Sequence, residues 1–510
     1  MVEYGIANVK TSSTDKDASS AFLKYADFSH YADYFNGMED ENIVQAIPNA
    51  KASEWMEENI PLFECPQHNF EEMYYYRWWS LRKHIKETPV GYGMTEFLVQ
   101  RSYSDKYNLI ACAIGHHIYE SRWLRDPKYL DQIIHTWYRG NDGGPMKKMD
   151  KFSSWNADAV LARYMVDGDK DYLLDMKKDL ETEYQRWERT NRLKNGLYWQ
   201  GDVQDGMEES ISGGRRKKYA RPTINSYMYG NAKALSCIGI LSGDEGMAMK
   251  YGMRADTLKN LVENELWNTC HQFFETMRTD SSANVREAIG YIPWYFNLPD
   301  TTQKYEIAWK EIMDEKGFSA PYGLTTAERR HPEFRTRGVG KCEWDGAIWP
   351  FASAQTLTAM ANFMNNYPQT VLSDSVYFRQ MELYVESQYH RGRPYIGEYL
   401  DEVTGYWLKG DQERSRYYNH STFNDLIITG LIGLRPRLDN TIEVNPLIPA
   451  DKWEWFCLDN VLYHGHNLTI LWDKNGDRYH CGKGLRIFVD GKEVGQADTL
   501  TKIVCENALK

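Results

Sequence analysis

Helical segments joined alternately by short turns and long loops dominate this chain and restrict the folds that it can adopt. Apolar residues recur at helical spacing from Phe70 onward, as where Met247, Tyr251 and Leu258 share one helix face. Twelve segments fit this pattern, near residues 70–86, 107–121, 127–139, 154–166, 170–190, 224–241, 245–266, 286–297, 303–315, 347–363, 372–389 and 420–432. The chain is therefore predicted to be mainly α-helical.

The loops between these helices alternate in length. Short turns join some neighbours, at residues 125–127, 167–169 and 242–244, and Asp169 and Asp244 suit helix N-caps. Long loops rich in Gly and aromatic residues separate the resulting pairs, at residues 87–106, 191–223, 316–346 and 391–419. Long loops inside a compact domain usually carry function. The pattern predicts helical hairpins that present their long loops at one end.

Six such hairpins can close into a ring, which predicts an (α/α)6 barrel over residues 53–438 with a funnel at the long-loop end. A solenoid is the alternative, but the segments share no fixed repeat period. Residues 439–510 contain β-rich segments, and Asp490-Gly491 is typical of a tight hairpin turn, so a small C-terminal β-sandwich domain is predicted. Residues 1–52 lack long periodicity and are expected to form an arm or short strands.

The composition argues against several functional classes. A net charge of −12 and an isoelectric point near 5.6 disfavour binding to nucleic acid or to an anionic membrane. The chain contains no run of about 18 apolar residues, so no transmembrane helix is predicted. The eight cysteines are scattered without a CxxC pair, and no metal site or cofactor is predicted. The protein is expected to be periplasmic or secreted if a signal peptide has been removed, and otherwise cytoplasmic; no pattern specifies an oligomeric state.

The loop at residues 395–407 places three carboxylates among aromatic residues. It is too polar for a buried strand and too rich in Gly for a helix interior. A carboxylate held on an aromatic-walled loop can activate water beside a sugar ring, and Glu398 is the candidate. Tyr399 and Asp401 are candidates for sugar binding, as is His420, which follows the loop. The alternative is a surface turn whose acids are solvated.

A second loop, residues 196–214, gathers four acidic residues beside an aromatic pair. Clustered carboxylates repel one another, so a partly buried one should have a raised pKa. A carboxyl that is protonated at neutral pH can protonate a departing glycosidic oxygen. Glu208 and Asp205 are the catalytic candidates, and Trp199 and Asp202 are candidates for substrate binding. Alternatively, these acids cap the next helix and pair with the cations at residues 215–218.

Aromatic residues elsewhere extend the candidate site. Trp344 and Trp349 are predicted to wall a sugar subsite in which Asp345 accepts hydrogen bonds from hydroxyl groups. Packing is the alternative role for both tryptophans. Arg77 and Trp78 lie on the first helix of the helical region and are expected at the funnel, or alternatively in the core.

Three motifs together resemble inverting glycosidases of the family 63 clan, which includes mannosylglycerate hydrolase and the processing α-glucosidases. Residues 398–405 resemble the E-N-Y-N-x-x-T-G loop of that group, residues 206–210 its G-[ML]-D-N-[SA] segment, and residues 346–350 its G-P-[VI]-W-P segment. The motifs occur in the same order along the chain, and the resemblance spans roughly residues 60–435.

The resemblance implies that Glu398 is the general base and that Glu208 stands where the family has its general-acid Asp. Glu in place of Asp departs from the pattern and leaves Asp205 as an alternative proton donor, and Asp401 replaces an Asn. The predicted function is inverting, exo-acting hydrolysis of a terminal sugar from an oligosaccharide, polysaccharide or glycan. A polysaccharide lyase on a helical toroid and a non-catalytic glycan-binding protein are the alternatives.

Overall fold

The computed structural model describes residues 22–279, 281–302 and 304–509, which are mainly helical with a sheet domain at the C-terminal end. The α-helices are α1 (Ser29–Asn36), α2 (Ala52–Asn59), α3 (His68–His84), α4 (Ile114–Ser121), α5 (Lys128–Arg139), α6 (Asn156–Asp167), α7 (Lys170–Asn191), α8 (Pro222–Ser242), α9 (Glu245–Leu261), α10 (Ile292–Tyr295), α11 (Pro350–Asn366), α12 (Asp374–Ser387) and α13 (Asn424–Leu426). The π-helices Val262–Leu266 and Ile427–Leu431 continue α9 and α13.

Most of the predicted helices are confirmed, and α3, α5 to α9 and α12 lie within a few residues of their expected bounds. Asp169 and Asp244 act as the predicted N-caps, because their carboxylates accept the N–H groups of Tyr172 and Met247 at 3.0 Å each. The segment 286–297 differs: it holds a 3₁₀ helix, Ala288–Tyr291, followed by the short α10. Pro293 lacks the N–H group that a longer helix would need.

Two further segments are less regular than expected, and two short helices, α1 and α2, were not predicted. Residues 303–315 form a 3₁₀ helix over Glu306–Ile312, and residues 107–121 become α-helical only in α4. Instead of the expected arm or short strands, residues 22–52 contain α1, which packs on α3 through buried Tyr31 and Phe35. A search for long periodicity overlooks so short a helix. Residues 1–21 lie outside the described residues.

The contacts between successive helices form a closed series around the helical region. α4 packs on α6, α6 on α8, α8 on α10 and α10 on α11, while α13 contacts both α11 and α4. A buried ion pair between Arg122 and Asp425, at 2.7 Å, joins the regions of α4 and α13. Glu120 of α4 also accepts the N–H groups of Asn424 and Asp425 at 2.9 and 3.0 Å. These bonds fix the segment that carries His420 beside α4.

The C-terminal domain contains a five-stranded antiparallel sheet and a two-stranded pair. The sheet order is Leu62–Glu64, Trp455–Tyr463, His466–Asp473, Gly484–Val489 and Lys492–Ala497. Ile442–Val444 pairs with Ile503–Cys505. The turn at Asp490-Gly491 is confirmed, because both residues have the positive φ, 49° and 78°, that a type I′ hairpin requires. The edge strand Leu62–Glu64 lies in the range that was assigned to the predicted barrel, before its first predicted helix.

Short hairpins brace the loops of the helical region. They pair Ile85–Thr88 with Gly91–Met94, Trp199–Gln200 with Tyr219–Ala220, Trp267–Asn268 with Phe273–Phe274, Ser319–Ala320 with Gly323–Leu324, and Tyr389–His390 with Arg393–Pro394. The second of these closes the loop that carries Glu208. In the described ranges, no helix has the length and apolar character needed to cross a bilayer.

Candidate active site

Glu208 and Glu398 line one cavity of about 500 Å³ in the helical region, although a long stretch of chain separates them. Trp344, Trp349 and His420 line the same cavity. The structure therefore brings together five residues that the sequence predicted to act jointly. It adds charged residues that the sequence analysis did not single out: Glu96, Arg101, Lys151 and Arg414.

The loop before Glu208 is held rigidly by its own backbone and by Asp205. Gly206 has a φ of 74°, a conformation that L-residues with a Cβ atom rarely adopt. The N–H of Met207 donates to the carbonyl of Asp202 at 2.8 Å, and the Met207 side chain is buried. The chain thus turns sharply between Asp205 and Met207, and Glu208 follows at the cavity wall.

Asp205, the alternative proton donor, is an internal anchor. Its carboxylate forms an ion pair with the buried Arg221 guanidinium at 2.7 Å and accepts hydrogen bonds from the hydroxyl groups of Ser153 and Thr223. Only 2% of Asp205 is exposed. A carboxylate whose oxygens are already bonded in this way is poorly suited to give a proton to a substrate. This geometry favours Glu208 as the acid and gives Asp205 a positioning role.

Asp205→Asn is expected to lower stability by about 3 kcal/mol, because it leaves the buried Arg221 charge without its counter-charge. For a chain of this size that corresponds to a fall in Tm of roughly 3 °C, measurable by differential scanning calorimetry. Glu209→Gln is the matched control, since Glu209 pairs with the exposed Arg215 and such pairs contribute at most about 1 kcal/mol. An unchanged Tm together with lost activity would return Asp205 to the role of acid.

Backbone bonds fix Glu398 between two other segments of the cavity. Ile348 and Leu400 exchange N–H···O bonds of 3.0 and 2.9 Å, which joins the loop of Trp349 to the loop of Glu398. On the other side, the N–H of Tyr418 donates to the carbonyl of Ile396 at 3.1 Å. The segment before α13 and the tryptophan loop therefore hold the Glu398 carboxylate in place.

The two glutamates have different electrostatic surroundings. Glu398 is 4% exposed and lies 3.5 Å from Lys409 Nζ and 3.3 Å from Arg414 Nη2, so two cations balance its charge. For Glu208, burial raises the pKa to about 7, and the negative charge of Glu398 acts in the same direction. Near neutral pH, a large fraction of Glu208 therefore carries a proton.

Three aromatic rings form a continuous stack at the cavity wall. Trp344 and Trp349 lie 4.4 Å apart at 20°, and Trp349 and Tyr399 lie 4.6 Å apart at 21°. Tyr399 is buried behind Trp349, and Lys409 Nζ lies 4.9 Å from the centre of its ring. The tryptophans thus have the predicted position at the wall, whereas Tyr399 supports them from behind.

His420 lines the cavity as a neutral ring. Burial lowers the pKa of His420 well below its usual value. Within the described ranges, neither of its ring nitrogens has a hydrogen-bond partner, and its ring contacts those of Tyr418 and Phe351 at 3.9 and 5.9 Å between centroids. A neutral imidazole offers one donor and one acceptor, which suits contact with sugar hydroxyl groups.

Arg77 and Trp78 differ from their expected position at the funnel and belong to the core. Trp78 is fully buried, and Arg77 donates to the amide oxygen of Gln388 at 2.8 Å and to the carbonyl of Ser421 at 2.6 Å. Arg77 therefore connects α3 to the residue next to His420. The Arg77 guanidinium therefore stabilises the backbone beside His420.

The predicted sugar-binding aspartates also bond to the backbone. Asp345 is fully buried and accepts the N–H groups of Arg337 and Gly338 at 2.6 and 3.0 Å. Asp401 accepts those of Val403 and Thr404 at 3.1 and 2.9 Å, and these bonds outweigh its partial burial and lower the pKa of Asp401. Both side chains organise loops, as short acidic side chains commonly do in turns.

The remaining two predicted residues border the Glu208 loop. Asp202 is buried and accepts the N–H of Val203 at 2.9 Å, and burial raises the pKa of Asp202. Trp199 lies in the short hairpin that closes the loop, with Lys218 over its ring at 4.2 Å from the centroid. Neither is among the residues that line the cavity.

Glu96 is a third carboxyl group of the cavity that the sequence analysis missed. Burial raises the pKa of Glu96 to about 8, and the charges of Glu398 and Glu208 add to this effect. Cys112 Sγ lies 3.3 Å from its carboxyl oxygen. Glu96 lies in the long loop 87–106 next to Phe97. An acidic residue beside an aromatic residue in a long loop is the sequence pattern that could have identified it.

Glu96 should make the folded protein less stable as the pH rises. Its carboxyl binds a proton more tightly in the folded state, so its contribution is complete below pH about 4.5 and is lost as the pH rises through about 8. Glu96→Gln is therefore expected to raise Tm by about 2 °C more at pH 8.5 than at pH 5. The control Glu54→Gln alters a solvent-exposed acid. Equal gains at both pH values would contradict this assignment.

Comparison with known proteins shows that the part of the chain containing this cavity matches a known family. The model of the mannosylglycerate hydrolase MGH1-like glycoside hydrolase domain matches residues 106–421, a range that includes both glutamates. The chain belongs to this glycoside hydrolase family. The C-terminal domain of glycosyl hydrolase family 65 matches residues 434–495, which coincide with much of the sheet domain. The predicted resemblance to the mannosylglycerate hydrolase group is thereby confirmed.

Solved structures also resemble this chain, and the similarity reaches beyond the residues that match the family model. A structure titled "Sialidase" is 95% identical over 99% of this chain with a TM-score of 0.96, but this chain spans only 46% of that one. The family 63 mannosylglycerate hydrolase from Thermus thermophilus, solved with glucose, is 13% identical, with 70% of this chain and 99% of that chain covered and a TM-score of 0.51.

A third solved structure shares the fold. The family 78 rhamnosidase of Bacillus sp. GL1 is 10% identical, with 84% of this chain and 41% of that chain covered and a TM-score of 0.58. Enzymes with different sugar specificities therefore share this helical architecture, so the fold does not identify the sugar.

Proposed function

We propose that this domain is an inverting, exo-acting glycoside hydrolase in which Glu208 is the general acid and Glu398 the general base. The supporting observation is that both carboxyl groups line one cavity in opposite electrostatic surroundings. A pKa of about 7 keeps much of Glu208 protonated, whereas Lys409 and Arg414 flank the Glu398 carboxylate. One group holds a proton and the other can accept one, as a two-carboxylate mechanism requires.

In the proposed reaction, Glu208 gives its proton to the glycosidic oxygen as the bond to the anomeric carbon breaks. Glu398 takes a proton from a water molecule that attacks the anomeric carbon from the opposite face. Lys409 Nζ and Arg414 Nη2 lie 3.5 and 3.3 Å from Oε2 of Glu398, so both cations hold this carboxylate at the cavity. Inverting pairs lie about 6.5–9.5 Å apart to hold that water, and the products are the sugar with inverted configuration and the free alcohol.

The cavity and the helix packing support the finer features of this proposal. A cavity of about 500 Å³ suits one end of a glycan chain, and Trp344, the end ring of the aromatic stack, supplies an apolar face for a sugar ring. The contacts that pass from α4 through α6, α8, α10, α11 and α13 back to α4 support an (α/α)6 barrel. The substrate is proposed to be an oligosaccharide or polysaccharide, because the similar solved structures are named as a sialidase, a mannosylglycerate hydrolase and a rhamnosidase.

The anomeric configuration of the first product tests this proposal directly. Aryl glycosides and glycan oligosaccharides would be screened for cleavage, and the first product would be followed by proton NMR before it mutarotates. Inversion is expected, and retention would overturn the proposed mechanism. An ultraviolet-absorbing unsaturated product would instead identify a lyase. Sugar binding without any product would identify a glycan-binding protein.

A further inference from the structure

A second cavity, of about 610 Å³, lies apart from the site of the two glutamates, and we call it the outer cleft. Its lining residues come from three segments: 38–39 after α1, 390–395 and 410–417. Among the described residues, it shares none with the cavity of Glu208 and Glu398. Ligand-binding pockets typically have volumes of about 300–1,000 Å³, so the outer cleft is large enough to hold a ligand of its own.

A short hairpin places a charged side chain at the outer cleft. Its two turn residues, Arg391 and Gly392, have positive φ values of 52° and 74°, as a type I′ turn requires. Arg391 Nη2 donates to Asp411 Oδ1 at 2.7 Å, and the hydroxyl group of the exposed Tyr406 donates to Asp411 Oδ2 at 2.5 Å. The hairpin and the next loop therefore hold a guanidinium and a carboxylate side by side, next to an exposed ring.

A second ion pair also lines the outer cleft. Arg416 pairs with Glu39, whose carboxylate accepts a hydrogen bond from the hydroxyl group of Tyr417 as well. Arg393 donates to the carbonyl of Met38 at 2.8 Å. A guanidinium has five N–H groups, so these bonds orient the three arginines and still leave donors available to a ligand.

Stability does not account for this concentration of ion pairs. The side chains of Arg391 and Asp411 are 72% and 54% exposed, and Arg416 and Glu39 are also in contact with solvent. Ion pairs as exposed as these contribute little to folding. Because Asp411 and Glu39 neutralise two of the three arginines, and because an anion would meet both carboxylates, the cleft does not specify a charged ligand.

Aromatic rings pack beside these polar groups. The ring of His390 lies 5.1 Å from that of Tyr395 and 5.7 Å from that of Tyr406, measured between centroids. Tyr395 is buried, and its hydroxyl group donates to the carbonyl of Gly410 at 3.2 Å. Sugars combine apolar C–H faces with hydroxyl groups that both donate and accept hydrogen bonds. Rings next to fixed guanidinium donors and carboxylate acceptors match both features.

One loop separates the outer cleft from the cavity of the two glutamates. Lys409 and Arg414 of this loop lie 3.5 and 3.3 Å from the carboxylate of Glu398. Asp411 and Arg416, which alternate with them along the chain, line the outer cleft. A glycan held in the outer cleft is therefore held close to the catalytic cavity, which raises the effective concentration of the rest of the same glycan there.

We propose that the outer cleft is a second glycan-binding site, which binds an uncharged, hydroxyl-rich segment of an oligosaccharide or polysaccharide. Arg391 and Asp411 bind neighbouring hydroxyl groups of a sugar, and the ring of Tyr406 contacts its apolar face. Arg416 and Glu39 provide a second donor and acceptor pair for a further sugar unit. This site goes beyond the proposed hydrolysis and does not depend on it, because binding in the outer cleft involves neither catalytic glutamate.

Binding to a catalytically impaired chain tests this proposal. The full chain carrying Glu398→Gln would be screened on an array of neutral and anionic oligosaccharides from plant, microbial and animal glycans. Each neutral oligosaccharide that binds would then be titrated by isothermal titration calorimetry. We expect at least one of them to bind in the outer cleft. Binding confined to anionic oligosaccharides, or to none, would overturn the proposal.

Variants in the Glu398→Gln background distinguish the two cavities. The double variant Arg391→Ala and Asp411→Ala removes both partners of an exposed pair, and the affinity for that oligosaccharide should fall at least tenfold. Trp344→Ala, which alters only the catalytic cavity, should change the same affinity less than threefold. The double variant Lys51→Ala and Glu54→Ala removes another exposed ion pair and is the matched control. A loss with Trp344→Ala alone, or an equal loss in the control, would contradict the proposal.

The proposed function and the second site fail in distinguishable ways. In the chain with an intact Glu398, the Arg391→Ala and Asp411→Ala double variant should retain its kcat on an aryl glycoside, which is too short to reach the outer cleft. Binding that depends on Arg391 and Asp411, without cleavage of any glycoside, would remove the hydrolase mechanism and keep the site. Cleavage with inversion, with no oligosaccharide that depends on these two residues, would keep the mechanism and remove the site.

Discussion

Glu398→Gln is expected to lower kcat by about 10³-fold on every substrate, whatever its leaving group, because general-base assistance contributes about 10² to 10⁴. The amide keeps the size of the side chain but cannot accept the proton of the attacking water. The poor nucleophilicity of unassisted water then limits the reaction for good and poor leaving groups alike. Initial rates on aryl glycosides of graded leaving-group acidity would measure this.

Binding separates this catalytic role from a structural one. Glu398→Gln should bind the substrate with an affinity within about threefold of the wild type, as expected for a group that acts mainly in the transition state. Glu413→Gln, an exposed acid of the same loop, is the charge-matched control and should retain full activity. A loss of activity in Glu398→Gln that tracked a lower Tm would point to a packing role for Glu398.

The helical pairs and their turns were predictable from sequence because their signals are local. Caps such as Asp169 and Asp244 and the turn at Asp490-Gly491 act through bonds to neighbouring residues, so their sequence patterns transfer directly to structure. The strand Leu62–Glu64 was missed because its pairing partner, Trp455–Tyr463, is remote in sequence.

The direction of a polar side chain in a loop was much less predictable. Asp345, Asp401 and Asp205 occur in the same acidic and aromatic contexts as Glu208 and Glu398, yet each bonds to nearby backbone or to a buried partner. A short Asp side chain reaches its own turn easily, whereas the longer Glu more often projects beyond it. This physical difference accounts for much of the division between loop anchors and cavity residues.

The cations of the cavity escaped prediction for a different reason. Arg101 and Lys151 belong to separate loops without an acidic cluster, and only the fold brings them to the same Tyr103 ring. Their position depends on contacts between segments that are separated in sequence, and summed composition does not describe such contacts.

Glu208→Gln is expected to depend strongly on the leaving group. For a substrate with a poor leaving group, such as another sugar, kcat/KM should fall by about 10³-fold, because the departing oxygen needs a proton. For a dinitrophenyl glycoside, which leaves readily as an anion, the fall should be less than about tenfold. Steady-state kinetics on the two substrates would give this ratio. The same comparison for Glu209→Gln, whose charge pairs with Arg215, should show little change for either substrate.

The pH dependence provides an independent measure of the same proton. The protonated form of Glu208 is the active one, so kcat/KM for the wild type should decline as the pH rises through about 7. Glu398 and Glu96 interact with Glu208, so this value belongs to the coupled group of carboxyls. Glu208→Gln should lose the alkaline decline when a dinitrophenyl glycoside is the substrate. If the loss of the decline and the leaving-group dependence were found instead in Asp205→Asn, the proton would belong to Asp205, and Glu208 would be left as a binding residue.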